Sequence, residues 1–356
     1  MKRIYAVLLA LAMAFSLAAC GSSLPAPSAS TETTVQAQEQ TAAETVEEAK
    51  VEPIVLKFSI LENEEHGQGV LMQVFKEQVE KLSGGSIQVE LYYNGSLYTQ
   101  DGAIPALRSG DLDLTNVSIQ LTAEYLPSIA MFGSTYMFKN YDHMRKVMDS
   151  EIGSELAEQV KEAAGYYPLG YYYNGSRELN LTVEKEIKTP EDMAGILLRM
   201  PNAESWIAAG ESLGATVVPM AYNEVYQSLS NGTIQAQDNP MPAVKTAKFY
   251  EVTKQLSLTY HIIDFGLMSI NAGVWDSMTA EQQGWVKEAA AAAVKACDET
   301  QIGLEAELIS FFESEGLKIV YPDIDAFAEY AHAYYADKGL TADWDMDLYN
   351  KVQDMA

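Results

Sequence analysis

Hydrophobic and polar positions follow strand-like and helix-like spacing in turn along most of the chain. Apolar residues at every second position predict a strand at residues 54–60, and apolar residues at helical spacing predict a helix at 69–82. The next predicted elements are strands at 87–92, 112–117 and 167–173, a helix at 103–108, and two helices within 141–164 that divide near Gly153. This order of strands and helices predicts an open, mainly parallel sheet with helices on both faces.

A second unit is predicted to begin near Asn174. It contains predicted strands at 196–199, 216–219 and 234–237 and helices at 203–213 and 223–230, and the chain is expected to return to the first sheet through 262–270. Thr279 and Gln282 then have the spacing of a capping box, and helix-forming residues continue from Ala280 towards Phe312. A strand at 317–320 and a helix at 324–336 complete the predicted elements.

These elements predict an α/β protein with a two-lobed fold like that of periplasmic binding proteins. We expect a hinged cleft between the lobes, and a long C-terminal helix of about 45 Å that braces both of them. Lobe I is predicted to comprise residues 53–173 and 262–300, and lobe II residues 174–261 and 301–356. Ligands of such sheets bind at the carboxyl ends of strands, so the cleft is the expected binding site.

The first 52 residues differ in composition from the rest. The start of the chain has the form of a secretory signal: Lys2-Arg3 is followed by an apolar run over 4–14 and then by Leu17-Ala18-Ala19-Cys20. The quartet Leu17-Ala18-Ala19-Cys20 resembles the bacterial lipoprotein signal. We therefore predict a signal peptide at 1–19 and a lipidated Cys20, with an ordinary signal peptide and a chance cysteine as the alternative. Residues 20–52 lack aromatic residues and are predicted to be a disordered tether. The protein is then expected to be extracytoplasmic, anchored by lipid in the periplasm or on the outer face of the cell membrane.

Charge and motif content exclude several classes of function. The 356 residues carry 23 Lys and Arg against 50 Asp and Glu, a formal charge of −27, which argues against binding to nucleic acid or to an anionic membrane through a basic face. The four histidines lack metal-site spacing, and no nucleophile elbow, phosphate loop or dinucleotide loop occurs. Cys297 stands alone in an alanine-rich stretch. We expect no cofactor, no metal and no catalysis.

Three stretches, 173–177, 195–202 and 219–226 with 237–240, carry a resemblance to a known family. Their order and spacing resemble the solute-binding subunit of tripartite ATP-independent periplasmic (TRAP) transporters, the DctP family. The turn at 84–89 and the segment 106–113 add to the resemblance, which covers residues 54 to about 324. It implies a receptor that captures an organic acid and delivers it to the small and large membrane subunits of a TRAP transporter.

The resemblance also implies roles for individual residues. Arg199 corresponds to the arginine that clamps the ligand carboxylate, and Asn239 to the asparagine that helps to hold it. The resemblance implicates four more positions. Arg177 corresponds to a second arginine of many members, Tyr222 to an aromatic residue that lines the pocket, and Asn202 to a ligand contact in some relatives. Ser118 falls near a position that is acidic in sialic-acid-binding relatives. Within the tyrosine run 171–173, Tyr173 is predicted to face the ligand.

Several alternatives stay open at this point. The competing interpretations are that Arg199 lies on the surface, that Arg177 is a structural ion-pair partner and that Tyr222 belongs to the core. The segment 62–68, with Glu64, Glu65 and His66, either reaches ligand hydroxyls or faces solvent. A sensory lipoprotein that signals to a membrane kinase, an ABC-type binding protein and a secreted enzyme are the alternative functions. A monomer is expected, and the ligand is a C4-dicarboxylate, a sugar acid or a keto acid.

Overall fold

The computed structural model describes residues 52–356, which contain nine strands and twelve α-helices. The signal peptide, Cys20 and nearly all of the tether lie outside the described residues. The strands are β1 Ile54–Ser59, β2 Ile87–Tyr92, β3 Leu114–Ser118, β4 Tyr166–Leu181, β5 Leu197–Met200, β6 Thr216–Pro219, β7 Ala236–Pro240, β8 Gln255–Asn271 and β9 Lys318–Val320. Among residues 52–356, no helix is both long and apolar enough to cross a membrane.

The helices cover the sheet and connect its strands. They are α1 Gly67–Leu82, α2 Gln100–Ser109, α3 Ile119–Thr122, α4 Tyr141–Met148, α5 Glu151–Ala164, α6 Glu204–Glu211, α7 Val225–Asn231, α8 Met241–Thr246, α9 Ala272–Ser277, α10 Ala280–Ser314, α11 Ile324–Asp337 and α12 Met346–Gln353. The division within 141–164 falls at Asp149-Ser150 and not at Gly153. Gly153 is instead required inside α5, because a Cβ there would lie 2.0 Å from the carbonyl oxygen of Met148.

The described strands form one sheet in the order β2-β1-β3-β8-β4-β7-β5-β6, with β9 beside β8. The outer pairs are parallel, as expected, but the central pairs β3-β8, β8-β4 and β4-β7 are antiparallel. The two central strands are also much longer than predicted. The Asn174-Gly175 dipeptide, which has the composition of a turn, lies at an irregularity within a continuous β4.

The long strands β4 and β8 join two halves with separate hydrophobic cores. Side chains of β1, β2, α1 and α4 fill the cores of one half, and those of β5, α6 and α7 fill the cores of the other. This arrangement is the predicted two-lobed α/β fold, and we call the halves lobe I and lobe II. Val352 of α12 packs in a core of lobe I, and His143 Nε2 lies 2.8 Å from its carbonyl oxygen. The C-terminal helix therefore packs against lobe I, whereas the predicted division assigned all of 301–356 to lobe II.

Helix α10 packs against both lobes. The capping box that starts it is present, with Thr279 Oγ1 accepting from the Gln282 amide and Gln282 Oε1 accepting from the Thr279 amide. Its 35 residues correspond to about 52 Å of helix. Residues from Val286 to Cys297 are buried in a lobe I core, and Leu308 and Phe312 are buried in a lobe II core. The helix is thus the brace that the sequence predicted.

Candidate functional site

A cavity of about 100 Å³ lies between the lobes and is lined by both of them. Lobe I contributes residues 59–62, Gln68, Tyr98, Gln100, Ala103, Ile104, 115–118 and Leu121; lobe II contributes Arg199, Pro201, Trp206, Tyr222 and Asn239; the crossing strands contribute Tyr172, Asn174, Arg177 and 264–266. Five of the seven predicted site residues line this cavity: Arg177, Arg199, Tyr222 and Asn239, with Ser118 opposite them.

Arg199 is a buried cation in this wall, with 1% of its surface exposed. It lies on β5 and donates to the carbonyl oxygen of Met220 from Nε at 2.9 Å and from Nη2 at 2.7 Å. Nη2 also donates to Gln100 Oε1 at 3.0 Å, and within residues 52–356 the guanidinium has no ion-pair partner. Burial lowers the pKa of Arg199 to about 10, because a desolvated cation without a close anion is disfavoured. A bound anion would remove that penalty.

Arg177 is also buried, but its charge is compensated. Nε donates to Asp238 Oδ2 at 2.7 Å, and Nη1 donates to Asp264 Oδ2 at 2.8 Å. Burial acts against the charge of Arg177, but the two carboxylates outweigh burial and raise the pKa of Arg177 above its usual range. The guanidinium also stacks on Trp206, with 4.4 Å between Cζ and the ring centroid. The two arginines therefore differ, and only Arg199 lacks an anionic partner among the described residues.

Asn239 and Tyr222 lie beside the two arginines. Asn239 Oδ1 accepts from Arg177 Nη2 at 3.3 Å, and Nδ2 donates to Gln237 Oε1 at 2.5 Å, so the amide is held in one orientation. The Tyr222 ring lies 5.9 Å from Arg199 Cζ and packs edge-on against Phe249. β5 and β7 are adjacent parallel strands, and their carboxyl ends carry Arg199 and Asn239 to the same edge.

Ser118 faces these residues from lobe I and is connected to lobe II. Its hydroxyl caps α3 by accepting from the Leu121 amide at 3.2 Å. The same oxygen accepts from Trp206 Nε1 of lobe II at 3.3 Å. Gln100 Oε1 forms a second connection, because it accepts from both Arg199 Nη2 and the Tyr222 amide at 3.0 Å. The cleft is therefore closed in this structure.

Two predicted positions do not line the cavity. Tyr173 is packed in a lobe I core, and its hydroxyl lies 3.0 Å from a carboxylate oxygen of Glu305 on α10. The expectation that Tyr173 faces the cleft is wrong, and Tyr172 on the opposite face of β4 lines the cavity instead. Gly266 makes this possible, because a Cβ there would lie 2.2 Å from the Tyr172 hydroxyl oxygen. Asn202 is exposed to solvent outside the cavity.

The segment 62–68 divides between solvent and cavity. Glu64 and Glu65 are exposed and do not line the cavity. His66 is buried and caps α1, with Nδ1 accepting from the Gln68 amide at 3.2 Å, and burial lowers the pKa of His66 to about 4. Glu62 and Gln68 line the cavity, so the segment contributes to the site through its two ends.

A chain of side-chain hydrogen bonds runs across the lobe I wall and ends at Arg177. Asn116 Nδ2 donates to Gln68 Oε1 at 3.0 Å, and Gln68 Nε2 donates to Asn174 Oδ1 at 3.0 Å. Asn174 Nδ2 donates to Asp264 Oδ2 at 2.9 Å, and that oxygen also accepts from Arg177. The buried Oδ1 of Asn116 is left without a partner in the described structure. Ser59 Oγ, which also lines the cavity, is likewise unpaired there.

Glu62 completes the acidic side of the cavity. Its carboxylate has no hydrogen bond to another side chain of residues 52–356. Burial raises the pKa of Glu62 to about 7, and the charge of Asp264 adds to the rise. Sequence reasoning missed the roles of Gln100, Trp206 and Asp264 in the cavity, because their positions depend on contacts between segments that are distant in the chain. Within 52–356, no group of three or more His, Cys, Asp or Glu residues has the geometry of a metal site.

The chain is similar to known bacterial solute-binding proteins. The family model described as bacterial extracellular solute-binding protein, family 7 (DctP), matches residues 58–339. The sialic acid-binding periplasmic protein SiaP of Vibrio cholerae is 31% identical over 265 residues, which are 74% of this chain and 82% of SiaP.

Solved structures agree with this similarity. A TRAP periplasmic solute-binding protein of Roseobacter denitrificans with bound 3-deoxy-D-manno-oct-2-ulosonic acid is 34% identical, with a TM-score of 0.81, and the match covers 85% of this chain and all of that one. A second protein of that organism, with bound L-galactonate, is 28% identical with a TM-score of 0.78, over 86% of this chain and 99% of that one.

Proposed function

This chain belongs to the DctP family of TRAP solute-binding proteins, the bacterial extracellular solute-binding proteins of family 7, and we propose that its inter-lobe cavity captures an organic acid for a TRAP transporter. In this proposal Arg199 binds the ligand carboxylate, with Asn239 and Tyr222 beside it. Arg177 is a second cation in the wall of the cavity. The named relatives bind sialic acid, 3-deoxy-D-manno-oct-2-ulosonic acid and L-galactonate, all of them acids.

One observation carries the proposal: Arg199 is a buried cation in a cavity between two lobes and lacks an anionic partner among residues 52–356. Burial of an uncompensated charge costs free energy, so it is retained where a ligand supplies the opposite charge. Nη1 of Arg199 makes no hydrogen bond among the described residues, so its two N–H groups are free to donate to a ligand carboxylate while Nε and Nη2 keep their contacts with Met220 and Gln100.

Calorimetry with the full chain and a panel of organic acids tests the proposal. Wild-type protein is expected to bind at least one acid, and Arg199→Ala is expected to weaken that binding by a hundredfold or more, since two charge-assisted hydrogen bonds contribute about 3–6 kcal/mol together. Lys57→Ala, at a position outside the cavity, is the matched control for loss of a cation. Unchanged affinity in the Arg199 variant would refute the assignment.

We infer that the protein returns its ligand unchanged and works as a monomer. The named relatives are binding proteins, which supports the first inference. The accumulation of a converted acid during incubation would contradict the first inference, and light scattering tests the second. The proposed partners are the membrane subunits of a TRAP transporter, and the alternative partner is a sensor kinase. Loss of acid uptake in a strain that lacks this protein would exclude the kinase alternative.

We also propose that Cys20 carries a lipid anchor and that residues 20–52 connect the anchor to the binding body. The support is the sequence Leu17-Ala18-Ala19-Cys20 after a basic and apolar start. Two or more acyl chains hold a protein on a membrane stably, which a single chain does not. Cys20→Ser is therefore expected to move the protein from the membrane fraction to the soluble fraction and to abolish labelling with a fatty acid.

A further inference from the structure

The polar groups that the two lobes offer to a ligand have opposite character. Lobe II presents the Arg199 guanidinium, a donor and a cation. Lobe I presents Glu62, the unpaired Asn116 Oδ1 and the unpaired Ser59 hydroxyl. Arg199 lies on β5 and Asn116 on β3, four strands apart in the sheet, which corresponds to about 19 Å between the strand axes. A ligand that reaches from Arg199 across the cleft therefore meets acceptors at its far end.

The direction of the hydrogen-bond chain is fixed at its Arg177 end. An arginine is only a donor, and an ionised aspartate is only an acceptor, so Asp264 must accept from the Asn174 amide nitrogen. Asn174 Oδ1 then accepts from Gln68, and Gln68 Oε1 accepts from Asn116. Each step follows from the one before it, and the group left over at the end is an oxygen, Asn116 Oδ1. Because the ion pair of Arg177 fixes the direction of the chain, the free group in the lobe I wall is an acceptor. A ligand at this wall must therefore supply a hydrogen-bond donor.

We propose that the ligand is a hydroxylated monocarboxylic acid, whose carboxylate binds Arg199 and whose distal hydroxyl groups donate to Asn116 Oδ1 and Glu62. This inference rests on the proposed function and names the class of acid. Ser59 can donate or accept, so it completes the hydrogen bonding of a hydroxyl that already donates to Asn116.

A second carboxylate does not fit this wall. Arg177 and Arg199 are the cations among the residues that line the cavity, and Arg177 is already paired with Asp238 and Asp264. A dicarboxylate would place its second charge against Glu62 and the free oxygen of Asn116. A distal ammonium would have to form an ion pair with Glu62, and 6-aminohexanoate in the panel below tests that alternative.

Calorimetry with acids of matched length tests the proposal on the full chain. The panel contains aldonates and uronates of four to six carbons, hexanoate with no hydroxyl, adipate with a second carboxylate and 6-aminohexanoate with an ammonium. At least one hydroxylated acid is expected to bind at least a hundredfold more tightly than hexanoate, adipate and 6-aminohexanoate. Equal or tighter binding of any of these three overturns the inference while the proposed function stands, and no binding of any carboxylate overturns the proposed function itself.

Variants assign the effect to the lobe I wall. Asn116→Ala and Glu62→Ala are each expected to weaken binding of the hydroxylated acid about three- to tenfold, as expected for loss of one hydrogen bond, and to leave weak binding of hexanoate unchanged. A thermal unfolding curve of each variant without ligand checks the fold, and Gln88→Ala on the exposed edge of β2 is the control. An equal loss for both kinds of acid would contradict a role in reading hydroxyl groups. If a variant does not fold, the panel on wild-type protein decides alone.

Discussion

Gln100 of lobe I accepts a hydrogen bond from Arg199 of lobe II, with 3.0 Å between Oε1 and Nη2. The same oxygen accepts from the backbone amide of Tyr222, also at 3.0 Å. One amide oxygen at the start of α2 is thus bound to two groups of the opposite lobe. Because both bonds cross the cleft, they exist only when the lobes are together. The guanidinium that we propose to bind the ligand carboxylate therefore also makes the contact that joins the two lobes.

Gln100→Ala is expected to weaken ligand binding roughly tenfold, because it removes two hydrogen bonds that stabilise only the closed form. Stability of the ligand-free protein should change little if the open form dominates there. Calorimetry measures the affinity, and small-angle scattering with and without ligand measures closure. Gln88→Ala serves as the control, since Gln88 is exposed and far from the cleft in the sheet. Wild-type affinity in the Gln100 variant would show that this contact does not contribute to closure.

Methionine should be tolerated at position 199 but should destabilise the protein at position 177. Arg199→Met removes a buried charge without an anionic partner, so the free energy of unfolding of the ligand-free protein is expected to stay equal or to rise by about 1–2 kcal/mol. Arg177→Met leaves Asp238 and Asp264 without their cation and is expected to cost about 3–5 kcal/mol. Urea unfolding of both variants in the same buffer measures the difference. A comparable loss in both would mean that Arg199 contributes to stability as Arg177 does.

Glu62 makes stability depend on pH in a defined direction. Burial raises the pKa of Glu62 from 4.5 to about 7 in the folded protein. Between these values the folded state binds more protons than the unfolded state, so the free energy of unfolding falls as pH rises from about 4.5 to 7. Glu62→Gln should reduce this fall by about 1–3 kcal/mol between pH 5 and pH 8.

Urea titrations of wild type and Glu62→Gln at several pH values measure that effect. The titratable groups that face Glu62 are Tyr172, Tyr222, Asp264 and Cys297. They are present in both proteins, so the difference between the two pH profiles reports Glu62 together with its coupling to these groups. Parallel profiles for wild type and variant would contradict the raised pKa.

Gly175→Ala should destabilise the protein by about 3 kcal/mol. Gly175 has φ of +119°, and a Cβ would lie 2.6 Å from the Cβ of Pro240, so both backbone strain and a clash oppose a side chain. Gly165→Ala is the matched control: Gly165 has φ of +76° but open space around it, and the expected loss is about 1 kcal/mol. Thermal and urea unfolding measure both values. Equal losses would show that the close approach of β4 to β7 is not required.

Local pattern predicted most elements within two or three residues. β2 and β6 begin and end where the hydrophobic pattern placed them, and the capping box located the first turn of α10. The middle of β4 could not be predicted in this way. Its Asn174-Gly175 dipeptide favours a turn locally, but pairing with β8 on one side and β7 on the other keeps the strand continuous.

The site was predictable only in part, for a similar reason. The resemblance selected Arg199 and Asn239 because each lies in a recognisable motif, and the order and spacing of the motifs match the family. It could not select Trp206, which reaches Ser118 across the cleft, since that contact joins residues 88 positions apart. The strand alternation in the tyrosine run was predicted correctly, but the sequence does not contain the information about which face is turned to the cavity. Gly266, on the neighbouring strand, makes room for Tyr172.

Helix α10 is anchored at two places that must separate when the cleft opens. Cys297 is buried with one lobe, Phe312 with the other, and Gly303 lies between them with no atom close to where a Cβ would be. Opening must therefore curve the helix or detach one of its ends, and a glycine at this point lowers its resistance to curvature. The elastic stiffness of this single helix thus contributes to the free-energy difference between the open, unliganded form and the closed, liganded form of this receptor.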